Sequence, residues 1–121
     1  MKHRDDLVYV EHMIDSIESV YKFIGDKTFK EFKDDDLVVS GVIRKLEILG
    51  EASSKVSDNI KLRCPNIEWR ILKDFRNYLI HQYFGVDVAT VWEAIQTDMP
   101  ILKEKLLELR EVLIQEKENK L

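Results

Sequence analysis

Residues 65–84, PNIEWRILKDFRNYLIHQYF, decide how the rest of the chain is read. Their apolar residues return at steps of three and four, which predicts a helix begun at Pro65, with Asn66 as its N-cap, and ended at Gly85. Two apolar arcs run along it. Ile67, Ile71, Leu72, Phe75, Tyr78 and Leu79 form the arc expected to face the core, while Trp69 and Ile80 lie on another side with Arg76 and Tyr83. A surface helix needs one apolar stripe. A second one, carrying an arginine and aromatic rings, has the composition of a protein interface. A dimer or another partner is therefore expected on that side.

The same stretch holds the chain's densest chemistry. Arg76 carries a planar fork of donors suited to phosphate oxygens. His81 can exchange a proton near neutral pH. Tyr83 has a phenol that can donate a hydrogen bond or accept a modification. On an ideal helix Arg76 and His81 sit about 140° apart and do not share a face, whereas His81 falls in line with Arg70, Asp74 and Asn77. If both act on one substrate, either the helix distorts near its end or a second copy of the chain supplies the missing half.

Composition narrows the function classes. The chain has 121 residues, 45% apolar and 35% charged, enough for one domain with a real core. A net charge of −4 argues against broad binding to duplex nucleic acid. Charge is uneven, however: Lys61, Arg63, Arg70, Lys73 and Arg76 outweigh Glu68 and Asp74 over 61–81, a confined basic focus on an acidic body. Cys64 is the only cysteine, so no intramolecular disulfide forms, and no Cys/His set has zinc spacing. Neither a membrane span nor a signal peptide is expected, and the cytoplasm is the default compartment.

Outward from this stretch the pattern stays helical. Leu7, Val10, Ile14, Ile17, Tyr21 and Ile24 mark a first helix over 5–24, stopped by Gly25. Thr28-Phe29-Lys30-Glu31 has the form of a capping box before a short helical turn, with Phe29 and Phe32 tucked inward. Asp34-Asp35-Asp36 suits the start of the next helix better than a metal site. That helix, 36–57, buries Val39, Val42, Leu46, Leu49 and Val56. Its Gly41 and Gly50 would let a neighbouring helix approach closely. Arg44 can pair with Glu47, and Glu51 with Lys55. Glu51, next to Gly50, can also orient a cation on an approaching helix. Residues 57–64 read as a connection. A fourth helix begins at Asp87, with Val88, Val91, Trp92 and Ile95 inward. A fifth opens at Asp98-Met99-Pro100, buries Leu102, Leu106, Leu109 and Leu113, and frays from about residue 116. The expected architecture is all-α: four main helices plus a short one, in a single domain over 1–121.

Pro65-x-x-x-Trp69-Arg70 followed by Arg76-Asn77-x-x-x-His81-x-Tyr83-Phe84 resembles the HEPN superfamily, and more narrowly the HepT toxins of HepT/MntA toxin–antitoxin systems. Arg44-x-Leu46-Glu47-Ile48-Leu49-Gly50-Glu51-Ala52, Val91-Trp92 and Asp98-Met99-Pro100-Ile101-Leu102 agree with it, so the resemblance spans about residues 5–112. Gln82 stands where the family often has glycine. The resemblance implies an all-α homodimer with its two Arg-x-x-x-x-His motifs facing each other in a cleft. It implies metal-independent RNA cleavage by Arg76 and His81 in a type VII system, with no cofactor. Asn77 and Glu51 would support them. It also implies a nucleotidyltransferase antitoxin of the MntA type that AMPylates Tyr83. The alternative within the same superfamily is a non-catalytic subunit of a nucleotidyltransferase complex, binding a nucleotide or the partner's substrate.

Overall fold

The computed structural model describes residues 5–82 and 85–120, and these are helical nearly throughout. In chain order the elements are α1 (Asp6–Ile24), α2 (Phe29–Lys33), α3 (Asp36–Lys55), α4 (Asp58–Arg63), α5 (Trp69–His81), α6 (Val88–Glu93), a π-helical turn (Ala94–Asp98) and α7 (Met99–Asn119). Among the described residues there is no strand, and no helix is long and apolar enough to cross a membrane.

The long pair α1 and α3 forms the centre, with α7 against α1 and α5 across α3. Val10, Met13, Ile14, Ile17 and Val20 of α1 meet Val42, Leu46 and Leu49 of α3 in the core, joined by Leu106, Leu109 and Leu113 of α7. Caps fix where the helices begin. The Thr28 hydroxyl accepts from the Glu31 backbone N–H at 3.2 Å, and the Glu31 carboxylate accepts from the Thr28 N–H at 2.9 Å, so the capping box forms. Asp35 caps α3 by accepting from Val38 N–H at 3.1 Å, which gives the acidic triplet its structural role. Phe32 is fully buried, with Phe29 and Phe32 both packed against Trp92.

Three elements depart from the sequence expectation. Residues 58–63, expected as a connection, form α4. Ser57 caps it, and Asp6 at the start of α1 accepts from the Ser57 N–H and hydroxyl at 2.8 and 2.7 Å. With Ile60 as its one buried residue, so short a helix leaves no periodic trace. Helix α5 begins at Trp69, not at Asn66, because Pro65 and Asn66 sit in a turn in which Ile67 N–H donates to Cys64 C=O at 3.2 Å. Finally, Asp98 does not cap a separate helix. Residues 88–119 run on as one rod, and Met99 N–H reaches back five residues to Ala94 C=O. A proline removes one donor and crowds the carbonyl four residues earlier. The wide π turn just before Pro100 absorbs that conflict. The rod also continues to Asn119, past the point where fraying was expected, with Glu116 paired to Arg63 and Lys117 to Asp5 at 3.1 Å.

The crossing of α5 over α3 is close because Gly50 has no side chain. A Cβ placed there would lie 2.4 Å from Arg76 Cβ and 2.7 Å from its Cγ. Both are near-backbone atoms that cannot swing aside. Gly50→Ala is expected to destabilise the chain by about 1–3 kcal/mol as the two helices are forced apart, read as a lower urea midpoint.

Stability should also depend on acid. Glu31 is held below its ordinary carboxylate value by the Thr28 backbone N–H first and the Thr28 hydroxyl second. Glu116 is lowered by Arg63, and Asp5 by the Leu7 N–H above all. A carboxylate with a lowered folded value contributes stability above its unfolded value and loses it as pH falls through the folded one. The melting temperature is therefore expected to hold level down to about pH 5 and drop below about pH 4. Glu31→Gln should flatten part of that acid limb.

Candidate active site

Helix α5 lies on the surface: of its 13 residues only Leu79 is fully buried. Leu72 and Phe75 are half-buried, and the Arg76 stem lies against Gly50. The arc expected to face the core does so at Ile67 and Leu79, which are buried, and at Leu72, Phe75 and Tyr78, which pack against the core. The Trp69–Arg76 side turns towards α3 and α4. The Trp69 indole N–H donates to Cys64 C=O at 3.0 Å, and Lys61 Nζ sits 5.7 Å from the ring centroid. On the core arc Ile71 stands open, at 56% exposed. Ile71, Leu72 and Phe75 line a groove of about 250 Å³ whose other wall is Met99, Ile101 and Leu102 of α7. Ile101 is likewise 56% exposed. On the other arc Ile80 is open, at 40%, while Trp69 and Arg76 are half-buried. Periodicity finds both arcs but does not show that Trp69 and Arg76 on the second also pack within the same chain.

Arg76 is held on several sides. Its Nη2 donates to Glu51 Oε1 of α3, and Nη1 donates to Asn77 Oδ1 at 3.3 Å. Nε is buried with no partner among the described residues. The side chain keeps 27% of its surface open, so the guanidinium is fixed but reachable. Glu51 thus orients Arg76 and makes no ion pair with Lys55 among the described residues, whereas Arg44 does reach Glu47 at 3.3 Å. Glu51 is next to Gly50, so the residue that permits close approach and the residue that receives the cation are neighbours in sequence. Asn77 is engaged with Arg76, leaving the imidazole to other groups.

His81 is the last residue of α5 and is exposed. The helix shows no distortion before it, so Arg76 and His81 keep the angular separation of an ordinary helix, and one chain does not bring them onto one face. Tyr83, like Phe84 and His3, lies outside the described residues. On either side of it, Gly85 has φ +111°, a conformation that suits glycine. The Tyr78 hydroxyl accepts from the Asp87 N–H at 2.9 Å, tying the end of α5 to the start of α6. Asp87 in turn caps α6 by accepting from Ala89 N–H at 3.1 Å.

What reasoning from sequence missed is a second cleft, beside the motif rather than on it. It opens between the end of α3, α4 and α5, and is lined by Ser53, Ser54, Lys61, Trp69, Arg70, Lys73 and Asp74. The basic focus over 61–81 was its signal. Only the fold of residues 57–64 into α4 shows that Lys61 joins Arg70 and Lys73 around one hollow. Among the described residues no group of three or more His, Cys, Asp or Glu is placed to hold a metal ion.

Comparison with known proteins places the chain in a family. The family described as ribonuclease HepT-like matches residues 13–109. The chain is 40% identical over 108 residues to a Thermococcus cleftensis protein named probable ribonuclease HepT, covering 89% of this chain and 96% of that one. It is 35% identical over 117 residues to a Methanocaldococcus jannaschii protein named as a gamma-glutamylcyclotransferase and candidate RNase. That match takes in 97% of this chain but 53% of the relative, so the chain spans about half of that protein's length. A candidate RNase of the same organism is 33% identical over 106 residues, with 88% of this chain and 97% of the relative covered. No solved structure matches the chain. With the matched region covering most of the helical body and both motif residues Arg76 and His81, the chain belongs to the ribonuclease HepT-like family.

Proposed function

We propose that this protein is the toxin of a type VII toxin–antitoxin pair, a metal-independent endoribonuclease of the cytoplasm that works as a homodimer. The observation that carries the reading is the fixed, reachable Arg76, clamped by Glu51 and Asn77 one and a half turns before an exposed His81. Two copies apposed through α5 bring the Arg76 of one beside the His81 of the other, which overcomes the angular separation within a chain. The open apolar groove along Ile71, Phe75, Ile101 and Leu102 supports pairing, because covering such surface is favourable at about 25 cal/mol per Å².

The reaction follows from the side chains. His81 takes the proton of a ribose 2′-OH as the O2′–P bond forms. The P–O5′ bond breaks, and the imidazolium of the second copy's His81 gives a proton to the departing 5′-oxygen. The products are a 2′,3′-cyclic phosphate and a 5′-hydroxyl. Arg76 neutralises charge that grows on the phosphorane, and Glu51 keeps the guanidinium from turning away. A cognate nucleotidyltransferase of the MntA type silences the site by moving AMP from ATP to the Tyr83 oxygen, with pyrophosphate leaving. The added anion would occupy the Arg76 fork and the space RNA needs, by the same logic as phosphorylation.

One observation favours the second reading, a non-catalytic subunit of a nucleotidyltransferase complex: Arg76 is already engaged by Glu51. Cleavage assays separate the two. Arg76→Ala and His81→Ala are each expected to slow cleavage of single-stranded RNA by about 10²–10⁴-fold, with the melting temperature little changed for the exposed His81 and lowered for Arg76, whose stem packs on Gly50. Undiminished cleavage by His81→Ala would sink the catalytic assignment. Intact mass after co-expression with the neighbouring nucleotidyltransferase should show added AMP that maps to Tyr83 and is lost in Tyr83→Phe. No added mass with an active partner would leave masking by simple binding.

A further inference from the structure

We propose that the basic cleft between the end of α3, α4 and α5 holds the RNA strand that flanks the scissile phosphate. The inference rests on the ribonuclease reading above and assigns it a substrate-binding subsite. The cleft is open and measures about 490 Å³. Lys61 enters it from α4, and Arg70 and Lys73 from α5. Against these three cations stands one carboxylate, Asp74, on a chain whose net charge is −4. Asp74 approaches Arg70 only to 3.9 Å, both side chains being largely exposed, so it competes weakly for the guanidinium. Lys61 and Lys73 make no ion pair among the described residues. The positive charge of this hollow is thus left for an outside anion.

The walls suit a single strand. Trp69 is half-buried and pinned by its indole N–H, giving a fixed apolar surface beside the cations, the pairing by which sequence-tolerant sites hold base and backbone together. Ser53 and Ser54 donate their hydroxyl protons inward, to Gly50 C=O at 2.8 Å and Glu51 C=O at 2.6 Å. With both hydroxyl protons so engaged, phosphate contacts fall to the three cations.

Position links the cleft to the motif. Lys73 lies one turn before Arg76 and Asn77 on α5. Arg70, Asp74, Asn77 and His81 follow one line along the helix, and Arg70 lies about 16 Å from His81 along its axis. A strand lying along α5 therefore passes from the cleft directly onto the motif.

The test uses the full chain carrying His81→Ala, so that RNA is bound but not cut, and a fluorescein-labelled single-stranded RNA 12-mer read by anisotropy. Adding Lys61→Ala, Arg70→Ala and Lys73→Ala together should weaken binding at least 10-fold and flatten the log–log salt dependence by about 2. A control of equal charge, Lys22→Ala, Lys30→Ala and Lys33→Ala on α1 and α2, should change affinity less than twofold. Should the cleft triple not fold, Arg70→Ala alone is expected to weaken binding several-fold and flatten the slope by about 0.7. Equal weakening by both triples would overturn the cleft in favour of a general charge effect. Unchanged affinity in the cleft variants, with wild-type cleavage intact, would overturn the cleft alone. Absence of both RNA binding and RNA cleavage in the unmutated chain would bring down the ribonuclease reading and the cleft with it.

Discussion

The molecule depends on the contact between Gly50 and the stem of Arg76. A helix crossing needs small residues where backbones approach, and here the missing side chain of α3 is filled by the first two carbons of an arginine on α5. The stem gains apolar cover while the head stays at the surface, an ordinary use of a long cationic side chain. The neighbouring Glu51 then receives the head. One crossing thus fixes the height of α5 on the body and the aim of its main cation. Because α5 is seated by this contact and by Leu79, Leu72 and Phe75, its outer surfaces remain free for chemistry and partners.

Two features of different character result on the two flanks of α5. One flank is apolar, a groove shared with α7 in which Ile71 and Ile101 stand open. The other is basic, shared with α3 and α4. Between these flanks Arg76 and His81 face different ways. On the proposed reading a second copy would cover this apolar surface, and a composite site would let the motif residues work without sharing a face.

Much of this was legible in the sequence. The first two long helices announce themselves by spacing and by their caps, since Thr28, Asp35 and the glycine at 25 act locally. Gly50 and Glu51 were legible as a close approach beside a cation-orienting carboxylate, because both roles depend only on side-chain size and charge. The partner of Glu51 was not, since Arg76 is 25 residues away and Lys55 sits at an equally good helical spacing. Helix α4 escaped notice because six residues with one buried side chain carry no period. The two arcs of α5 are visible as pattern, and the core arc holds except at Ile71, since burial depends on what lies across from a stripe.

The π turn before Pro100 has a consequence for how the rod keeps its core-facing side. Val91, Ile95 and Met99 are all buried at successive steps of four. On a plain α-helix two such steps would drift by about 80° and carry the third side chain out of the interior. The wider turn over Ala94–Asp98 takes up that rotation, so Leu106, Leu109 and Leu113 arrive in phase with Val91 despite the proline between them. The two halves of the rod are therefore in register only through this turn. Deleting one residue within it would let the turn close to an ordinary α turn and leave the far half nearly in phase, whereas inserting one would rotate everything beyond by about 100°, turning α7's leucines off α1 and moving Ile101 and Leu102 away from α5. The length of this short segment, more than its residue types, sets the shape of the groove on the far side of the molecule.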